Sequence, residues 1–134
     1  MRQLSFGMLD MKWHTITEPY TGDVLAFEAK AIAPTQVMPI VDGTAMAPAF
    51  THIFSGGYAS GYYGYKWSEV LDADAFAKFK EEGIFNPAVA KSFRDNILSK
   101  GNTGDPMTLY IKFRGQEPST KALLERSGLV PAKK

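Results

Sequence analysis

Cysteine is absent from all 134 residues. That excludes disulfides, thiolate nucleophiles and cysteine-based zinc sites. Histidine is almost absent too. His14 and His52 are the only two and fall on different elements, so no His-Glu-x-x-His pair can form at helical spacing. There is no Gly-x-Ser-x-Gly nucleophile elbow. Gly101-Asn102-Thr103-Gly104 lacks the Lys-Ser/Thr of a phosphate loop. Asp72 and Asp74 have no loop of oxygen ligands behind them, so they read as solvent-facing helix residues and not as a calcium site.

Charge of one sign is also missing. Fifteen basic and 14 acidic residues leave a net charge of +1, scattered along the chain. With no basic block, nucleic acid is not an expected partner. Lys133 and Lys134 read as a solvated tail. No apolar run approaches the roughly 20 residues that span a bilayer. Met1-Arg2-Gln3-Leu4-Ser5 has no signal-peptide core. The expectation is a cytoplasmic protein that does not use a membrane. An apolar fraction of 45% is ordinary for a globular chain. The length predicts one domain over residues 1–134.

Alternating strand patterns are missing, so the fold class is all-α. Leu4, Met8 and Met11 share a face of a helix predicted over Gln3–His14. Asp23 caps a second helix over Val24–Ile32, which Pro34 ends. Residues 34–48 read as a long irregular loop of the kind that either carries function or is disordered. A helix starting near Gly61 runs through Trp67, Val70 and Leu71. Asp72 or Asp74 marks a bend, and Phe76 and Phe79 continue it to Glu82, with Gly83 closing it. The last third repeats one grammar. Asn86 and Pro87 open a helix facing inward with Val89, Phe93 and Ile97. Asp105 and Pro106 open another with Leu109, Tyr110 and Phe113 inward and Gly115 at its end. Pro118 and Ser119 open the last, with Leu123 and Leu124 inward. Gly128 and Leu129 close it in a Schellman arrangement.

The segment from Phe50 to Trp67 is where chemistry is expected. Gly56 and Gly57 allow positive φ and close approach of backbone to a ligand. Tyr58, Tyr62 and Tyr65 stand at i, i+4 and i+7. In a continuous helix the three phenols share one face. If the loop persists past Tyr58, that residue moves independently of the other two. A phenol is a neutral donor and a flat apolar surface at once. It can stack on a peptide and donate to a carbonyl or to a developing oxyanion. The same spacing also suits half-buried core packing of Tyr62, Tyr63 and Tyr65. His14, after Trp13 at a helix C-terminus, reads as a residue favoured there by the helix dipole.

The run from Phe50 to Val70, with His52, the Gly56-Gly57-Tyr58 turn, Tyr62-Tyr63, Tyr65 and Trp67, resembles the substrate-binding segment of thimet oligopeptidase-like zinc peptidases. It is most similar to the peptidyl-dipeptidase and oligopeptidase A branch. The similarity extends through residues 8–14, 72–76, 83–87 and 113–118, nearly the whole chain. The resemblance implies a helical C-terminal part of a zincin-type catalytic domain, forming one wall of a channel for short peptides. Tyr65 matches the phenol that donates to the oxyanion and so carries the catalytic role. Tyr58 matches a residue on the mobile glycine turn that contacts peptide, and His52 and Tyr62 match residues lining the site. Gly56 and Gly57 complete the substrate-binding set. Zinc belongs to the full-length family, on a helix expected upstream of residue 1, and no metal is expected on this chain. The chain alone is therefore expected to be inactive. Its expected partners are the missing N-terminal catalytic portion or, through a bared apolar face, another copy of itself. Two other readings are a non-catalytic peptide-binding domain and a complementing subunit for a separate zinc-bearing chain.

Overall fold

Local capping signals decide where most helices begin and end. The computed structural model describes residues 1–131, so Lys133 and Lys134 lie outside the described residues. The described residues contain seven α-helices and no strand, as an all-α reading requires. They are α1 (Arg2–His14), α2 (Val24–Ile32), α3 (Thr51–Phe54), α4 (Gly64–Glu82), α5 (Pro87–Phe93), α6 (Pro106–Arg114) and α7 (Lys121–Arg126). The chain divides into two compact units, Met1–Lys66 and Trp67–Lys134.

In the first unit α2 starts where Asp23 accepts a hydrogen bond from the Leu25 N–H and ends in a 3₁₀ turn, Ala33–Thr35, that contains Pro34. A side-chain acceptor at this position satisfies one of the four orphan donors of a helix start. The core gathers Leu9, Ala31, Phe50, Ile53 and Tyr62, with Phe6, Trp13, Ile32 and Met46 against it. Complete burial of a side chain such as Phe50 is worth about 1.5–3 kcal/mol.

The face of α1 that packs is not the Leu4, Met8 and Met11 face. Ser5, Gly7, Leu9 and Asp10 are buried, while Leu4 is 43% and Met11 38% exposed. Leu4, Met8 and Met11 instead line a cleft of about 430 Å³ with Tyr63 and Lys66. Both faces of α1 carry apolar residues, so periodicity alone does not select between them. The irregular stretch after α2 is pinned at its far end. The buried Glu28 carboxylate accepts hydrogen bonds from the Met46 N–H (2.8 and 2.9 Å) and the Ala47 N–H (2.7 Å), where a second 3₁₀ turn, Ala47–Ala49, begins.

In the second unit α4 runs unbroken to Glu82, without the expected bend at Asp72 or Asp74, and Gly83 follows at φ 106°. Asp74 corrects its expected place in solvent. It is 2% exposed, accepts from the Tyr110 hydroxyl at 2.7 Å and pairs with Arg114 Nε at 3.3 Å. Arg114 also reaches Glu81 through both terminal nitrogens, at 3.0 and 3.1 Å. Burial, and then the bond to Asp74, push the Tyr110 phenol well above its ordinary value. Asp72 is exposed, as expected, and pairs with Arg126.

Asn86 caps α5 through the Ala88 N–H, and α5 passes directly into a π-helical turn, Arg94–Leu98. Asp105 caps α6 through the Thr108 N–H, and Gly115 ends it in the left-handed region. Phe79, Phe93 and Phe113 meet edge-on or tilted, with centroids 5.0–6.2 Å apart. The last helix starts later than the Pro118-Ser119 signal, at Lys121, and Thr120 makes no side-chain cap. Its end follows the Schellman pattern. Gly128 N donates to Glu125 O and Leu129 N to Leu124 O.

Candidate functional site

All four side chains singled out between residues 52 and 65 come together in the first unit, although the segment is not one helix. Residues 59–63 are turns, and α4 begins only at Gly64. The loop therefore persists past Tyr58 and also past Tyr62. Tyr58 nonetheless returns to the others. Its ring stacks on Tyr65 (5.2 Å, 29° between planes) and meets Tyr62 edge-on at 6.2 Å. Tyr62 lies 5.0 Å from Tyr65. His52 joins them, 5.9 Å from Tyr58 and 6.1 Å from Tyr62.

The glycine turn makes this possible. After the single turn of α3, Ser55 N and Gly56 N both donate to Thr51 O, and Tyr58 N donates to His52 O at 3.0 Å. A Cβ on Gly56 would sit 2.7 Å from the His52 Cα, closer than packed atoms approach. Gly57 stands at φ 81°. So Gly56 is required by close approach and Gly57 by conformation, and together they fold Tyr58 back over His52.

The cluster has a dry floor and an open top. Phe50 and Tyr62 are buried, and Phe6 contacts both, at 5.2 and 5.9 Å. Above them Tyr58 is 37% and Tyr65 44% exposed, and His52 is exposed. Of the tyrosines that also suited core packing, only Tyr62 is core. Tyr63 is exposed on the side of Gly7 and the α1 cleft, away from this cluster. A hydrogen bond with Tyr58, together with partial burial and the neighbouring phenols, raises Tyr65 above the ordinary tyrosine value near 10.

Asp10 is the participant that sequence reasoning assigned no role. It is wholly buried, yet Oδ1 accepts from the Ser60 N–H at 3.0 Å and Oδ2 from the Tyr62 N–H at 2.9 Å. His14 Nδ1 lies 2.8 Å from the same Oδ1 and 2.8 Å from the Asp10 carbonyl. Its i, i+4 spacing from His14 on one helix is the signal that was available.

Among the described residues no group of three His, Asp or Glu side chains is placed to hold a metal ion. His14 faces Asp10 and Phe54, while His52 faces Phe50 and the tyrosines. These residues do not fit a zinc centre.

The sequence model of peptidase family M3 matches residues 1–129. The chain belongs to peptidase family M3. Among curated relatives, oligopeptidase A of Escherichia coli K12 is 47% identical over 133 residues, covering 96% of this chain and 19% of that protein. Oligopeptidase A of Haemophilus influenzae is 45% identical over 131 residues, covering 97% and 19%. Dipeptidyl carboxypeptidase of Salmonella typhimurium is 39% identical over 128 residues, covering 94% and 19%. The M3 chain therefore spans about a fifth of the length of these relatives. Among its described residues no helix is long and apolar enough to cross a membrane.

Proposed function

We propose that this chain is the substrate-gripping and oxyanion-steadying C-terminal part of a zinc-dependent oligopeptidase of the peptidyl-dipeptidase type, acting on short peptides. The observation that carries the reading is the cluster of His52, Tyr58, Tyr62 and Tyr65. It places two half-exposed phenols over a buried aromatic floor. Tyr58, on the glycine turn, lies along the peptide, and His52 and Tyr62 line the site beside it, with Gly56 and Gly57 shaping the turn. Tyr65 donates to the carbonyl oxygen of the bond to be cut. That donation strengthens as negative charge builds on the oxygen, which is the condition for lowering a barrier. The zinc ion and its ligands belong to residues outside this chain, and the chain alone does not hydrolyse peptides.

The exposed Leu4, Met8, Met11 and Tyr63 cleft is the proposed seat of that zinc-bearing portion. Unpartnered apolar surface of this kind favours association, so a second copy is expected to cover it when the chain is alone. Residues 1–134 act as one functional module in this reading. The proposed compartment is the cytoplasm, and one relative 39% identical to this chain is named a probable cytosolic oligopeptidase A.

The test combines the chain with the zinc-bearing portion and a fluorogenic oligopeptide. The wild-type pair should cleave the peptide. Tyr65→Phe should lower kcat by about 10²–10³-fold, with a smaller change in KM. Cleavage by the chain alone, lost in Tyr65→Phe, would overturn the division of labour. Unchanged kcat in Tyr65→Phe would overturn the oxyanion role. Peptide binding with no gain in rate when the portions are combined would instead identify a binding module.

A further inference from the structure

One buried carboxylate reaches the backbone of the tyrosine cluster from a distant helix. Between Tyr58 and Lys66 four backbone donors find acceptors three residues back. Gly61 N donates to Tyr58 O, Gly64 N to Gly61 O, Tyr65 N to Tyr62 O and Lys66 N to Tyr63 O. The Ser60 and Tyr62 N–H groups are served from α1 instead, by the two oxygens of one carboxylate, Asp10, 50 and 52 residues earlier in the chain. An ionised carboxylate has only acceptors, so both of its oxygens suit two converging N–H donors. Hydrogen bonds to a charged acceptor are also roughly twice as strong as neutral ones. Ser60 is the one non-glycine residue at positive φ among the described residues, at 56°. That conformation is unfavourable for a residue with a Cβ, and the Asp10 bond lies on its own N–H. The held residues flank Gly61 and lead into the first turn of α4, which carries Tyr65.

We propose that Asp10 is the positioning residue of the tyrosine cluster, its carboxylate clamping the Ser60 and Tyr62 amides so that Tyr58, Tyr62 and Tyr65 hold the register that grips peptide. This rests on the reading of the cluster as a peptide site. Misplacing a binding or reacting group by about 1 Å can lower its effectiveness around 100-fold. Loss of the clamp therefore reaches function through geometry, without removing any group that meets substrate.

Glu28 supplies a matched control. It is likewise a buried carboxylate of the first unit holding two backbone amides, but they belong to Met46 and Ala47. The experiment uses the full chain and a fluorescein-labelled octapeptide of mixed sequence. Native-state amide exchange and peptide affinity are measured for wild type, Asp10→Asn, Glu28→Gln, Tyr58→Ala and Tyr65→Ala.

In the wild type, the Ser60 and Tyr62 amides should be protected. In Asp10→Asn their exchange should accelerate at least tenfold and octapeptide affinity should fall at least tenfold. Glu28→Gln should release the Met46 and Ala47 amides and keep affinity within twofold of wild type. A purely structural role for Asp10 predicts similar losses in both variants, and that result overturns the proposal. So does Asp10→Asn binding within twofold of wild type. If Asp10→Asn does not fold, Asp10→Glu keeps the charge and shifts the clamp. It should hold the amides while weakening the octapeptide, and full affinity in that variant overturns the proposal. Unprotected Ser60 and Tyr62 amides in the wild type overturn it with no variant at all. Wild-type affinity in both tyrosine variants would remove the peptide site itself, and the positioning role with it. Weakened tyrosine variants beside an unaffected Asp10→Asn would remove the positioning role alone.

Discussion

Each unit buries a carboxylate completely or nearly so, and only one of the two reaches distant backbone amides. In Met1–Lys66 Asp10, besides its pairing with His14 on the same helix, and Glu28 hold backbone amides of irregular segments. In Trp67–Lys134 the partners of Asp74 are side chains, Tyr110 and Arg114, on a regular helix. The difference follows from where unsatisfied donors lie. A helix pairs its own interior amides, so a buried carboxylate on a helical unit joins one helix to another through side chains. A loop leaves amides unpaired, and burying them requires an acceptor from elsewhere. The unit that carries the tyrosine site is thus the one whose shape depends on acid side chains gripping the chain itself.

The comparison can be broken at several points. The largest effect is expected at Asp74→Ala. It leaves a buried hydroxyl only the longer bond to the Leu71 carbonyl at 3.5 Å and takes one partner from Arg114, and should destabilise the second unit by about 3 kcal/mol. Denaturant unfolding followed by a probe in that unit measures this, and a loss under 1 kcal/mol would mean the network contributes little. Next comes Gly56→Ala, where the added methyl meets the His52 backbone at 2.7 Å. Forcing an atom into filled space typically costs about 1–3 kcal/mol. The change should appear in thermal unfolding together with altered ring signals of Tyr58. An unaltered melting temperature would show that the turn has room the close approach denies.

The smallest effect is acid sensitivity confined to one cap. The Thr108 hydroxyl, and then its backbone N–H, hold Asp105 below its ordinary value of 3.8. Its contribution is therefore complete above that ordinary value and lost as pH falls through the depressed one. Asp105→Asn keeps an acceptor but removes this part of the pH dependence. The acid limb of stability should flatten slightly in that variant, and an unchanged limb would count against the cap.

What sequence reading captured was local, and what it missed was long-range. Asp23, Asn86, Asp105, Gly115 and Gly128 act within a few residues of themselves, and each stands where its residue type predicts. The all-α class followed from the same signals. The gathering of His52 with the tyrosines was legible in part, because Gly56 and Gly57 announce a sharp turn. The arrangement of Tyr58 against Tyr65 was not, since it arises from a loop and not from helical spacing. Asp74 looked solvated because its partners lie 36 and 40 residues away, and Asp10 was overlooked because its amides lie 50 and 52 residues away. No periodicity encodes such pairs. Leu4, Met8 and Met11 formed a legible stripe, but a stripe does not say which side of a helix its own chain covers.

The two tryptophans fall one to each unit, at residues 13 and 67. Trp13 sits among Tyr20, Phe27 and Phe54, its indole N–H buried with no hydrogen-bond partner among the described residues, whereas Trp67 is 43% open to water. A half-buried indole whose N–H is shielded by aromatic rings emits to the blue of one more open to solvent. The polypeptide therefore carries two native optical labels of different colour, and the melting of its halves can be followed separately without attaching a dye.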